Sequence, residues 1–83
     1  MYYVYILRNQ DGRLYIGYTE DLRRRFEEHN DGLSTATKPY RPWLLIFYEA
    51  YVSKRDAKRR EMYLKTSKGR TTIKTMLSDT LNS

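Results

Sequence analysis

The chain has 83 residues, enough for one compact domain that hides only about 60% of its unfolded surface. It has no cysteine and a single histidine, His29, which excludes disulfides, disulfide-linked partners, thiolate zinc sites and sites of several imidazoles, so any metal must be oxygen-bound. Sixteen Lys and Arg against ten Asp and Glu leave a net charge of +6, which favours a polyanionic partner, nucleic acid first.

The N-terminal Met1-Tyr2-Tyr3-Val4-Tyr5 has neither the basic nor the apolar region of a signal peptide. No stretch reaches the roughly 20 apolar residues of a spanning helix, so a cytoplasmic chain without a membrane partner is expected. Residues 2–7 and 14–19 are β-branched and aromatic, and Gln10-Asp11-Gly12 between them has the turn chemistry of a short hairpin. A three-residue loop with Gly12 in the left-handed conformation predicts the pairs Asn9 with Arg13, Leu7 with Tyr15 and Tyr5 with Gly17. Side chains alternate, so Tyr3, Tyr5, Leu7, Tyr15 and Gly17 would share one face and Val4, Ile6, Leu14 and Ile16 the other. A two-residue Asp-Gly turn would instead set Tyr5 and Tyr15 on opposite faces. With nine tyrosines in so short a chain, some must face a site or a groove.

Thr19 as cap, Glu20 and Asp21 in the first turn and Asp31-Gly32 as a stop predict a helix over residues 20–30. At about 100° per residue from Leu22, Phe26 falls at roughly +40°, His29 at roughly −20° and Arg25 at roughly −60°. His29 and Arg25 therefore lie along the buried stripe. Residues 31–43, with Gly32, Pro39 and Pro42, read as a loop carrying Lys38 and Arg41. The nearly continuous apolar run Trp43-Leu44-Leu45-Ile46-Phe47-Tyr48 predicts a third, more buried strand. Ser53 and Asp56 mark the start of a helix over about 54–66. From Ala57 as zero, Leu64 falls at roughly −20° and Glu61 at roughly +40°. A carboxylate inside the only apolar stripe of that helix should meet a cation, protein or metal. Gly69 breaks the pattern, and Ile73, Met76 and Leu77 predict a short final helix over about 71–81.

The order of hairpin, helix with an inward Arg and His, strand, and helix with an inward Glu resembles the GIY-YIG nuclease domain in its small stand-alone form. It is also similar to the N-terminal nuclease domain of the excision-repair nuclease. Tyr3-Val4-Tyr5 and Tyr15-Ile16-Gly17 stand at the two name-giving tripeptides, with Tyr3 in place of the namesake Gly. Arg25 and His29, spaced R-x-x-x-H, match the first-helix pair, and Glu61 in Ala57-x-x-x-Glu61-x-x-x-Lys65 matches the metal-binding carboxylate. The resemblance covers residues 2 to about 70 of a single domain spanning 1–83. Two positions depart from the pattern: Tyr18 stands where many members have a Lys, and the Asn that larger relatives carry after the Glu helix has no counterpart.

The resemblance implies an α/β (α+β) fold, a small three-stranded antiparallel sheet flanked by helices in the order β-β-α-β-α-(α). It implies a metal-dependent endonuclease hydrolysing DNA phosphodiester bonds, structure-selective and linked to repair or recombination. Tyr5, Tyr15, Arg25, His29 and Glu61 would be catalytic, with one divalent cation, Mg2+ or in its place Mn2+, held by Glu61. Gly17 and Tyr3 would position substrate, Gly17 by leaving room for the scissile phosphate, and Lys38, Arg41, Lys65, Lys68 and Arg70 would contact DNA.

The residue chemistry suits this: an oxygen-only site fits a hard, hydrated ion, and Arg25 can fork onto phosphate oxygens. Tyr15, with Tyr5 beside it, can orient or deprotonate the attacking water, and His29 can hydrogen-bond a tyrosine or relay its proton. The sequence leaves open which of Tyr5, Tyr15 and His29 takes the proton, and Tyr15 is favoured. The alternative is a non-catalytic nucleic-acid-binding module on the same fold, with RNA open as a partner. Arg25 and Glu61 could also pair as a structural salt bridge. Lys54, Arg55, Lys58, Arg59 and Arg60 read as a solvated helix face, with DNA tracking as the sharper option.

Overall fold

A computed structural model describes residues 1–83. Strands β1 (Tyr2–Asn9) and β2 (Leu14–Thr19) form the hairpin, with Leu7 opposite Tyr15 and Tyr5 opposite Gly17 as expected. Gly12 has φ +82°, the left-handed turn conformation that glycine adopts without steric penalty. Asn9 fastens the loop: its Oδ1 accepts from the backbone N–H of Arg13 at 2.8 Å and of Asp11 at 3.1 Å.

Strand β3 (Trp43–Tyr51) pairs antiparallel with the other side of β1, giving the order β2-β1-β3 with β1 central. The expectation that the third strand would be the more buried one is corrected here. Val4, Tyr5, Ile6 and Leu7 of β1 are all buried, whereas Leu44 and Tyr48 of β3 are 69% and 55% exposed. An apolar run reads alike on a central and an edge strand, and β3 is an edge whose only partner is β1.

The two sheet faces carry separate helices. α2 (Lys54–Leu64), α3 (Ser67–Met76) and α4 (Ser78–Leu81) cover one face, packing Ala57, Leu64, Ile73 and Leu77 against Val4, Ile6 and Ile16. α1 (Leu22–Asn30) covers the other, where Leu22, Phe26 and Tyr15 surround Tyr5, Leu7 and Trp43. Each fully buried aliphatic side chain contributes about 1.5–3 kcal/mol, so these two small clusters are what stabilise the domain. No helix is long and apolar enough to cross a membrane.

Helix boundaries differ from expectation for local reasons. The cap of α1 is Asp21, whose Oδ1 accepts from Arg24 N–H at 3.1 Å, while Thr19 Oγ1 takes the Asp21 N–H in a turn just before it. Ser53 caps α2 by accepting from Asp56 N–H at 3.2 Å, as expected. That helix ends at Leu64 because Thr66 caps α3, its Oγ1 accepting from Gly69 N–H at 3.1 Å. Gly69 thus lies inside α3 instead of breaking the chain there. A Cβ at 69 would fall 2.5 Å from Leu64 Cα and closer still to the Tyr63 carbonyl, so the glycine is a notch that lets α3 seat on the end of α2. The last helical stretch accordingly begins at Ser67 and divides at Leu77.

Candidate active site

The hairpin register places Gly17 beneath the phenol of Tyr5. A Cβ at 17 would stand 2.9 Å from Tyr5 Cε1 and closer still to Cζ and the hydroxyl. The space beside Gly17, expected to admit a phosphate, is therefore filled by the Tyr5 ring. What this glycine does is let the ring reach across β2.

Tyr5 is 1% exposed and His29 0% exposed, and the Tyr5 hydroxyl lies 2.7 Å from His29 Nε2. His29 Nδ1 in turn lies 2.7 Å from Thr37 Oγ1, which is 3.5 Å from the Ser34 carbonyl. A neutral imidazole has one N–H and one lone pair, so the ring accepts from one of these two hydroxyls and donates to the other. Burial, reinforced by the Arg25 charge, lowers the His29 pKa to about 4, so the imidazole is neutral near pH 7. Burial, together with the nearby Tyr15, raises Tyr5 to about 12. Tyr15 packs edge-on against the imidazole with ring centroids 5.0 Å apart, and its hydroxyl makes no hydrogen bond within the protein.

Arg25 is half-buried and donates to Glu28 Oε1 at 3.0 Å. It does not pair with Glu61, so the alternative of a structural Arg25–Glu61 bridge is not what forms. Glu61, with a side chain 14% exposed, meets cations of its own helix, as its inward position demanded. Lys65 Nζ donates to Oε2 at 3.0 Å, and Lys58 Nζ stands 3.8 Å from Oε1. α1 and α2 cover opposite sheet faces, yet the charges of both Arg25 and Glu61 act on the Tyr5 hydroxyl, the first lowering and the second raising its pKa.

The fit of a cation can be judged from the donor set. No cluster of three or more His, Cys, Asp or Glu exists to form a protein cage, and Glu61 Oε1 is free of hydrogen bonds. One carboxylate with an available oxygen suits a hard cation that keeps most of its water, such as Mg2+.

The basic residues divide. Lys38 and Arg41 line an open groove with Asn30, Pro39 and Pro42 beside the end of α1. Arg41 lies over Gly32 and donates to the Lys38 carbonyl at 3.0 Å. Lys65 and the exposed Lys68 stand at the junction of α2 and α3. Arg70 lies apart, in a cleft with Arg8, Leu14, Ile16 and Ile73 on the sheet face away from Tyr5. Tyr3 packs edge-on against Tyr48, centroids 6.2 Å apart, beside the Tyr5 row.

Two supporting residues escape a reading of the sequence. Thr37, 0% exposed, completes the hydrogen bonding of His29. Asn30 clamps the start of β3, donating to the Trp43 carbonyl at 3.0 Å and accepting its N–H at 2.7 Å. The one signal for Thr37 is that a buried imidazole needs a partner on each nitrogen, and Ser34, Thr35 and Thr37 all offer a hydroxyl.

Comparison with known proteins adds an independent line. A family model described as the GIY-YIG catalytic domain matches residues 1–74. A UPF0213 protein of Staphylococcus aureus (strain Mu3 / ATCC 700698) is 42% identical over 66 residues, covering 78% of this chain and 80% of that protein. A UPF0213 protein of Bacillus pumilus (strain SAFR-032) is 41% identical over 66 residues, covering 78% and 67%. The solution NMR structure of a UPF0213 protein from Bacillus halodurans is similar with a TM-score of 0.57 at 34% identity, over 92% of this chain and 85% of that one.

Proposed function

Since the chain belongs to the GIY-YIG family, a nuclease family that acts on nucleic acid and generally depends on a divalent metal, we propose that it is a metal-dependent endonuclease. On this reading it hydrolyses DNA phosphodiester bonds, selects DNA by structure more than by sequence, and serves repair or recombination. The observation that carries the reading is the setting of the Tyr5 hydroxyl, 2.7 Å from a buried neutral histidine, with Arg25 one helical turn before that histidine on α1.

Each residue then has a role. Glu61 would hold Mg2+ or Mn2+, with Lys65 yielding Oε2 as needed. A cation bound there supplies charge neutralisation at the phosphate and acidifies coordinated water. Arg25 turns its guanidinium to the phosphate oxygens and offsets the charge that builds during in-line displacement. Tyr5 remains protonated, hydrogen-bonded to His29, and offers an oxygen lone pair to orient the attacking water. Tyr15, whose hydroxyl has no partner in the protein, would first give its own proton to solvent and then, as the phenolate, take the proton from that water. A phenol accepts a proton only once ionised, so this step relies on cationic groups nearby. Gly17 positions Tyr5, and Tyr3 extends the aromatic floor. Lys38, Arg41, Lys65 and Lys68 track the backbone of the nucleic acid.

The test is nicking of a four-way junction and of supercoiled DNA in Mg2+. Wild type should cut and Glu61→Ala should bind equally but cut at least about 100-fold more slowly, the scale of losing a main transition-state stabiliser. If both bind equally and neither cuts any DNA or RNA tried, the enzyme reading fails and a binding module on the same fold is left.

A further inference from the structure

Five basic residues, Lys54, Arg55, Lys58, Arg59 and Arg60, crowd the first turns of α2, and helical periodicity alone treats them as one wet face. Their environments are different. Arg59 is tied to Asp56 at 3.1 Å and Arg60 to Glu49 at 3.0 Å, while Lys54 and Arg55 are exposed. Lys58 alone turns toward the site. Its Nζ lies 4.2 Å from the centroid of the Tyr18 ring and 3.8 Å from Glu61 Oε1, a separation too long for a hydrogen bond. All three N–H donors of this half-exposed ammonium are therefore unused within the protein.

Tyr18 follows Gly17 on β2, on the face covered by α2, and stacks on Tyr2 with centroids 6.5 Å apart at 12°. Its hydroxyl is buried without a hydrogen-bond partner. What Tyr18 contributes is consequently its ring face, whose negative quadrupole attracts a cation. The ring and the Glu61 carboxylate flank the ammonium. Lys65 is placed differently, being hydrogen-bonded to the carboxylate itself.

We propose that Lys58, held over the ring of Tyr18 beside Glu61, binds a non-bridging phosphate oxygen of the nucleic acid and is a positioning residue of the cleavage site. A compact ammonium with free donors is suited to phosphate as a point charge. The inference rests on the nuclease reading for its catalytic consequence and on geometry alone for the phosphate contact.

The experiment measures affinity for a four-way-junction DNA against salt concentration in EDTA, and kcat and KM in Mg2+, for the full chain. Lys58→Gln should weaken binding and lower the slope of log affinity against log salt by about 0.9, the value for one duplex phosphate contact, with kcat down about tenfold or more. Tyr18→Phe, which keeps the ring face under the ammonium, should retain the salt slope of wild type. Tyr18→Leu should reproduce part of the Lys58→Gln loss and add nothing to it in the double variant. An unchanged affinity and slope in Lys58→Gln, or simple additivity of the two losses, would overturn the proposal while leaving cleavage by wild type intact. If wild type cuts nothing but the slope still depends on Lys58 and the ring, the nuclease reading falls and the phosphate contact stands.

Discussion

The phenol of Tyr5 crosses β2 because position 17 has no side chain, and this makes the Tyr5–His29 bond depend on a residue outside that bond. Gly17→Ala inserts a methyl group into the ring's space. The ring must move off His29, leaving a buried imidazole nitrogen unpaired at about 1–3 kcal/mol. Urea unfolding should show a loss of that size, and nicking should fall about 100-fold; activity within twofold of wild type would show that the placement of Tyr5 does not matter. His29 gives a second prediction at this scale. Its folded pKa of about 4 lies below the ordinary 6.5, so between these values the unfolded chain binds a proton that the folded one refuses. Stability must then fall as pH falls through that window. Between pH 7 and pH 5 the wild type should lose about 2 kcal/mol more than His29→Gln, measured by urea unfolding at both pH values. Equal losses would mean the imidazole is not held neutral.

At the scale of elements, α3 sits on α2 through the notch at Gly69. Gly69→Ala forces a methyl group against backbone atoms of residues 63 and 64, which cannot swing aside as a side chain can. Overpacking of this kind costs about 1–3 kcal/mol, so the variant's urea midpoint should drop while that of an exposed α3 change such as Thr71→Ala stays near wild type. A midpoint equal to wild type would mean that α3 does not seat closely. The elements also show what was legible in the sequence. Gly12 announced a turn but left a two- or three-residue loop open; the three-residue loop forms, and with it alternation places Tyr5 and Tyr15 on one face. The inward turn of His29 and Glu61 followed from helical periodicity. The edge position of β3 was hidden, since its apolar residues look the same wherever the strand lies in the sheet. Thr19 and Asp21 are both competent caps, and only the chain path chooses between them. Gly69 reads as a breaker until the approach of α2 is seen, and Thr37 lies in a loop where any of three hydroxyls could have served.

Across the whole molecule, a three-stranded sheet separates two helical layers, and the candidate site draws on both. α1 contributes Arg25 and His29 from one face, and α2 contributes Glu61 and Lys58 near the strand that carries Gly17 and Tyr18. Lys65 stands against Glu61 and Lys38 and Arg41 share a groove beside the end of α1, and the net charge of +6 favours attraction of a polyanion from solution. On the proposed reading Glu61 and the phenols form one cation-dependent site. Titration of the 15N-labelled protein with Mn2+, followed by paramagnetic broadening of backbone amide signals, locates that cation. The amides of Gly17, Tyr18 and the turn of α2 around Glu61 should broaden first, and Glu61→Ala should abolish the effect. Broadening centred on Asp11, Asp56 or Asp79, or a pattern unchanged in Glu61→Ala, would contradict that reading.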